Sequence, residues 1–303
     1  MESRPFLAAF GLAALVATSA AAQSVEIETA RGPATVEANP GTIAVYDAAA
    51  IDTLQALGVE MAGVPSPLMV PYLADVSAAA QPVGTLFEPD LEKLAQLAPD
   101  LIIVGGRSVS QLDSVARVGT AIDMTIPTEN IVETALARIE AYGTLTGRDA
   151  EADALEESIR TKLEAAEAAV EGKGNGLVIL TNGPKVSAYG AGSRFGWIHN
   201  AVGLPEAREG LSTQTHGEAV SFEFIAEVNP DWLLVVDRGA AIDAEGESAA
   251  QTLDNALVRE TNAWKNGHVV YLDPARMYIS GGGAQALEGV LDQITEAFAA
   301  ADS

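Results

Sequence analysis

One template recurs in this chain. "EKLAQLAPDLIIVGGR" runs from Glu92 to Arg107 and "EFIAEVNPDWLLVVDR" from Glu223 to Arg238, and both read Glu, six residues, Pro-Asp, six residues, Arg. In each, apolar residues at helical spacing precede the Pro-Asp pair. Pro lacks the donor that a helix interior or a central strand needs, so it separates two elements. The continuous apolar run that follows reads as a strand buried on both faces, as in a parallel sheet. The unit is helix, turn, strand, with the arginine at the strand's C-terminal end. Two copies more than a hundred residues apart call for two equivalent α/β layers.

The rest of the chain fits that demand. At 303 residues the length suits about two domains. Residues 25–38 alternate and turn at Arg31-Gly32-Pro33, a β-hairpin pattern. Strand patterns at 42–47, 61–65, 81–87, 101–106 and 121–126 then alternate with helical ones, which predicts a mostly parallel sheet. From about Glu129 to Glu171 the chain is rich in Ala, Glu, Leu and Ile at helical spacing with no strand, and Gly143 and Gly147 are placed to kink or divide the run. A second α/β region opens with strands at 176–182 and 185–190, continues through the second unit to a strand at 269–273, and closes on an amphipathic helix. The expected fold is α/β: two lobes, each with a mostly parallel sheet flanked by helices, joined by a long helical backbone, with a ligand cleft between them. The expected boundaries are 23–128 for the N-terminal lobe, 129–173 for the connecting helix and 174–303 for the C-terminal lobe.

Residues 1–22 stand apart. Arg4 precedes an apolar run from Phe6 to about Ala17, and Ala20-Ala21-Ala22 precede Gln23. This is the layout of a secretory signal peptide cleaved after Ala22, and the run is short for a membrane span, which needs about 20 residues. The chain contains no Cys, which excludes disulfides, thiolate metal sites, a Cys nucleophile and a lipid-modified Cys. A non-lipidated protein of the periplasm is expected. The net charge of −25 argues against nucleic acid and against direct insertion into an anionic membrane. Arginines that bind an anion here must act locally, against the field of the whole molecule.

In open α/β sheets, ligands bind outside the C-terminal edges of the strands. Arg107 and Arg238 are therefore expected on opposite walls of the cleft. Arg194 follows a strand and a Gly-rich turn whose Gly190, Gly192 and Gly196 are spaced one residue too far for a dinucleotide fingerprint; amides at the following helix start would favour an anion. His216 lies in the polar loop "STQTHGE", and Tyr278 lies between a strand end and three glycines. His199 and His268 read as structural residues on a helix surface and at a strand start. Arg276 is a further nearby cation to which the pattern assigns no role.

The two units, "STQTHGEAVSFEFI", "NPDWLLVVDR" and "YLDPARMYISGGG" together resemble the periplasmic siderophore-binding proteins of ABC importers, in particular those for ferric catecholates such as petrobactin and tetradentate bis-catecholates. The resemblance covers the chain beyond the signal peptide. It implies that Arg107, Arg194 and Arg238 contact catecholate oxygens. It implies that His216 and Tyr278 complete the coordination of Fe(III) when the siderophore leaves two positions open. It also implies that Glu92 and Glu223 dock onto arginines of an inner-membrane permease, and that the protein is a monomer with no enzymatic activity. The iron is then part of the ligand, carried as a siderophore complex, and no permanent cofactor is implied. The helical backbone implies little lobe closure.

The chemistry is consistent with this. Ferric iron is hard and six-coordinate, and catecholate oxygen and imidazole both suit it. Guanidinium groups match the charge and the paired oxygens of such a complex. Haem or another iron chelate is the alternative, since His and Tyr both ligate haem iron, but a cluster of arginines favours a polyanion. An enzyme acting on an anionic catechol substrate is a further alternative, resting on His216 beside Glu218. No G-x-S-x-G, H-E-x-x-H or P-loop motif accompanies that pair.

Overall fold

The structure is a computed structural model that describes residues 23–301. The expected signal peptide lies outside the described residues. Among these, no helix is long and apolar enough to cross a membrane.

Two five-stranded sheets carry the fold. The N-terminal lobe has β3 (Ile43–Val45), β4 (Gly63–Val64), β5 (Gln81–Pro82), β6 (Leu101–Val104) and β7 (Ala121–Asp123), in the order β5-β4-β3-β6-β7 and all parallel. The C-terminal lobe has β8 (Gly176–Asn182), β9 (Lys185–Tyr189), β10 (Glu218–Val220), β11 (Trp232–Asp237) and β12 (Val269–Leu272), in the order β10-β9-β8-β11-β12. Here β8, β11 and β12 are parallel, while β9 and β10 run antiparallel to their neighbours. The reason is the connection: β8 and β9 are joined only by Gly183 (φ +55°) and Pro184, too short for a parallel crossover. The hairpin of β1 (Ser24–Thr29) and β2 (Gly32–Glu37) forms a separate sheet.

The two repeated units fold alike. Asp90 caps the helix Leu91–Leu97 by accepting from Lys93 N at 3.0 Å, and Ser221 caps Phe222–Val228 by accepting from Phe224 N at 3.3 Å. Ala98 (φ +49°) and Asn229 (φ +45°) end these helices in the left-handed region. The Pro-Asp aspartates then do the same task in each lobe. Asp100 accepts from Thr42 N at 2.8 Å and Asp231 from Asn175 N at 3.1 Å. Thr42 and Asn175 immediately precede β3 and β8, the strands that pair with β6 and β11. Each aspartate thus fixes where two neighbouring central strands begin. All four residues of β6 and the first five of β11 are buried, as helices on both faces of a parallel sheet require.

The helical stretch between the lobes is divided. Ile131–Thr146 ends at Gly147 (φ +64°), and Asp149–Val170 follows. The first helix packs on β1. Its buried Arg138 donates to the carbonyls of Glu28 at 3.0 Å and of Met124 and Thr125, both at 3.3 Å. The second buries Ala152, Ile159 and Ala166, seven residues apart and therefore on one stripe. It packs against the C-terminal helix Ala284–Ala300, with Lys162 and Asp292 paired at 2.6 Å.

The C-terminal helix also joins the lobes. Its first N–H groups, from Gln285 at 2.7 Å and Ala286 at 3.1 Å, donate to the carboxylate of Asp52, buried in the N-terminal-lobe helix Ala48–Ala56. The Tyr72 hydroxyl donates to Asp52 at 2.5 Å and lies 2.6 Å from Ser280 Oγ. Arg276 lies 4.2 Å from the Tyr72 ring, 3.5 Å from Asp273 Oδ2, and donates to the Gln285 carbonyl. That is the role the sequence pattern did not assign to it: it holds the segment after β12 against both lobes.

Candidate functional site

Between the lobes lies a cleft of about 620 Å³. The N-terminal lobe contributes Asp47, Phe87, Arg107 and Thr125, which follow β3, β5, β6 and β7; the C-terminal lobe contributes Arg194, His216 and Tyr278. In the N-terminal lobe these are the C-terminal ends of the strands, where the sequence places a ligand edge.

Tyr278 is the centre of the site. It sits in a single π-helical turn, Ala275–Ile279, which follows β12. Its carbonyl accepts from Arg107 Nη2 at 2.6 Å and from Arg194 Nη2. Its hydroxyl accepts from Arg238 Nε at 3.1 Å. The guanidinium carbons of Arg194, Arg107 and Arg238 lie 4.4, 5.2 and 5.8 Å from the ring centroid, within cation–π range. Burial pushes the phenol pKa up, but the Arg238 hydrogen bond and the charges of Arg238, Arg194 and Arg107 together bring it below the ordinary tyrosine value. Burial, and then the charge of Arg107, lower the pKa of Arg194, which as an arginine stays protonated.

The three arginines are not equivalent. Arg107 and Arg194 line the cleft. Arg238 stands further back, holds Asn182 Oδ1 at 3.2 Å, and reaches the site through the Tyr278 hydroxyl. The helix after the Gly-rich turn is only Trp197–Asn200, too short to offer an anion site of its own. The turn instead positions Arg194, with Gly192 at φ +82° and Ser193 Oγ donating to the Gly190 carbonyl at 2.6 Å.

His216 is exposed on its loop and lines the cleft beside Thr215. Glu218 accepts from Ser212 N at 3.1 Å and so closes the base of that loop. His199 is buried rather than on a helix surface: its Nδ1 lies 2.7 Å from the Leu204 carbonyl, and burial lowers its pKa. His268 stacks on Trp232 at 4.1 Å. Glu92 and Glu223 are each the second residue of their helix, and both are exposed. Because each helix leads back to the start of the strand that follows it, its N-terminus lies at the sheet edge where that strand ends. Each unit therefore delivers a glutamate and an arginine to the same edge.

Asp47 and Phe87 are among the cleft residues that the sequence patterns do not single out. Asp47 caps the helix Ala48–Ala56 by accepting from Ala50 N at 2.9 Å. Burial raises its carboxyl pKa, against the Ala50 hydrogen bond and the charge of Arg107. A strand followed at once by Asp and an alanine run is a cap signal that would have marked it. Phe87 carried no such signal. Among the described residues, no group of three or more His, Cys, Asp or Glu is placed to hold a metal ion.

Known proteins match this architecture over most of its length. A family model described as "Periplasmic binding protein" matches residues 43–275. The petrobactin-binding protein YclQ of Bacillus subtilis is 36% identical over 265 residues, which is 86% of this chain and 83% of that protein. The crystal structure of YclQ superposes with a TM-score of 0.87 at 32% identity, covering 91% of this chain and 99% of the other. The periplasmic catecholate-siderophore binding protein VctP of Vibrio cholerae gives a TM-score of 0.84 at 28% identity, over 90% and 100% of the two chains. The chain belongs to the periplasmic binding protein family.

Proposed function

We propose that this protein captures a ferric catecholate-type siderophore in the cleft between its lobes and delivers it to an inner-membrane ABC permease. The observation that carries the reading is the Tyr278 phenol, with three guanidinium groups around its ring and Arg238 Nε 3.1 Å from its hydroxyl, in a cleft that His216 also lines. The relatives named as petrobactin- and catecholate-siderophore-binding proteins support it. Arg107 and Arg194 take the catecholate oxygens, which are anionic and paired. Arg238 keeps Tyr278 ready to give up its proton. Tyr278 oxygen and His216 nitrogen fill the positions on Fe(III) that a tetradentate siderophore leaves open. The iron is cargo, arriving and leaving with its chelator. Haem fits this cluster less well than a compact polyanion does.

In the same reading, Glu92 and Glu223 are the contacts for the permease. The protein acts as a monomer in the periplasm, after removal of residues 1–22 and without a lipid anchor, and it catalyses no reaction. The test is titration of the signal-free protein with a ferric bis-catecholate, following tryptophan fluorescence and the ligand-to-metal charge-transfer band together. Saturable quenching with a shifted band is expected, because protein donors enter the coordination sphere. No response at micromolar protein overturns the reading.

A further inference from the structure

We propose that Phe87 is a ligand-contact residue, covering the face of an aromatic ring of the bound chelate from the N-terminal-lobe side of the cleft. The inference rests on the siderophore reading above and adds a specificity-determining residue to it. Phe87 is 60% exposed, more than the other exposed large apolar residues described, Met69, Leu257 and Tyr271. A single exposed apolar side chain is common and means little. Two further facts set this one apart. It lines the inter-lobe cleft, in company with Ile126 and Pro127. The loop that carries it is also fixed. Thr85 N donates to the Glu88 carbonyl at 2.9 Å, while Thr85 Oγ1 accepts from Phe87 N at 3.2 Å and from Glu88 N at 3.0 Å. Ser66 N ties the loop to the neighbouring strand connection by donating to the Gly84 carbonyl at 2.8 Å. Gly84 has φ +108°, and a Cβ there would strike Asp90 N and the Glu88 carbonyl, so the loop geometry depends on glycine at that position.

A phenyl ring held in water by a fixed loop gains free energy when something apolar covers it. The cleft lining is of two chemical kinds. Part of it is the guanidinium groups of Arg107 and Arg194 and the Tyr278 phenol; part is the apolar Phe87, Ile126 and Pro127. A catecholate has the same division. Its oxygens lie along one edge of the ring, and its faces are apolar. With the oxygens turned to the guanidinium groups, a ring face remains for Phe87, in the offset or edge-to-face geometry that aromatic pairs prefer.

The experiment compares the unsubstituted protein with Phe87→Ala and Phe87→Leu, using the ferric complex of a synthetic tetradentate bis-catecholamide at low and at high salt. Because the ring is mostly exposed, truncation leaves the core intact, and the leucine variant keeps apolar bulk without a ring face. Phe87→Ala is expected to weaken binding about tenfold, Phe87→Leu by less, and each factor to persist when salt screens the charged contacts. Equal affinity of all three proteins, or a loss that disappears at high salt, overturns the inference while leaving the siderophore reading in place. Failure of the unsubstituted protein to bind overturns both.

Discussion

Arg238 donates from Nε to the Tyr278 hydroxyl at 3.1 Å, joining the last residue of the second repeated unit to a turn that follows a different strand. The bond gives the second copy of the repeat a task distinct from the first. Arg107, at the matching position, turns its guanidinium to backbone carbonyls.

Replacing Arg238 by Gln should therefore raise the pKa at which Tyr278 ionises. Burial opposes ionisation, and the Arg238 hydrogen bond is the largest influence against it. An ultraviolet tyrosinate titration, differenced against Tyr278→Phe in the same background, reads this directly. Binding of a tetradentate ferric complex should weaken most at neutral pH, and the loss should shrink as rising pH removes the proton anyway. A phenol that titrates as before would refute the role.

In the proposed function, His216 and Tyr278 act as iron ligands only where the chelator leaves room. His216→Ala and Tyr278→Phe should each weaken a tetradentate ferric complex by about tenfold or more, roughly 1.4 kcal/mol per factor of ten. A hexadentate complex of similar charge should lose much less. Equal losses for both complexes, measured by fluorescence titration, would remove the ligand assignment.

Glu92 and Glu223 are exposed on helix starts and are not among the residues that line the cleft. The double substitution Glu92→Ala with Glu223→Ala should leave ligand affinity unchanged and abolish iron uptake in cells that depend on this protein. Normal uptake would sink the docking assignment.

Asp52 supplies a prediction about stability. Burial pushes its carboxyl pKa up to about 7, against hydrogen bonds from Tyr72, Gln285 and Ala286. An unfolded Asp releases its proton near pH ~3.9. Between these values the folded protein binds more protons than the unfolded one, so this group's contribution is present below about pH 4 and is lost as pH rises towards about 7. At ~1.4 kcal/mol per unit the effect is at most ~4 kcal/mol. Asp52→Asn should flatten that part of the stability curve. It should also lower stability by ~1–3 kcal/mol, because an amide nitrogen faces N–H donors. Chemical denaturation across this pH range checks both.

Much of the architecture could be read in the chain because the informative signals were local. Helix, Pro-Asp turn and apolar run lie within sixteen residues of each other in each unit, and strand-end arginines follow from that order alone. The short helices Ala249–Leu253, Ala256–Arg259 and Asn262–Lys265 were missed, although Ser248, Asn255 and Thr261 cap them; their spans are too short for periodicity to show. The clustering of Arg107, Arg194 and Arg238 on Tyr278 was beyond reach for a different reason. It depends on which strands lie side by side, and residue patterns report burial without naming the partner. Asp52 and Arg138 are the same case: each is an ionisable residue inside a helix that no residue pattern marks, and each is buried because distant backbone groups bond to it.

The donors of Arg107 bear on selectivity. Its Nη1 and Nη2 bond the carbonyls of Ile279 and Tyr278 at 3.1 and 2.6 Å, so the chain itself holds this guanidinium in place. Two of the five guanidinium N–H groups are used in this way, which fixes the group's orientation and leaves donors for a ligand. A neutral ligand offers this guanidinium nothing better than a peptide carbonyl. An anionic oxygen does, since charge-assisted bonds are roughly twice as strong. On the proposed reading, a guanidinium held in place by the chain's own carbonyls meets the ligand without having to be ordered first, and it discriminates by charge rather than by shape.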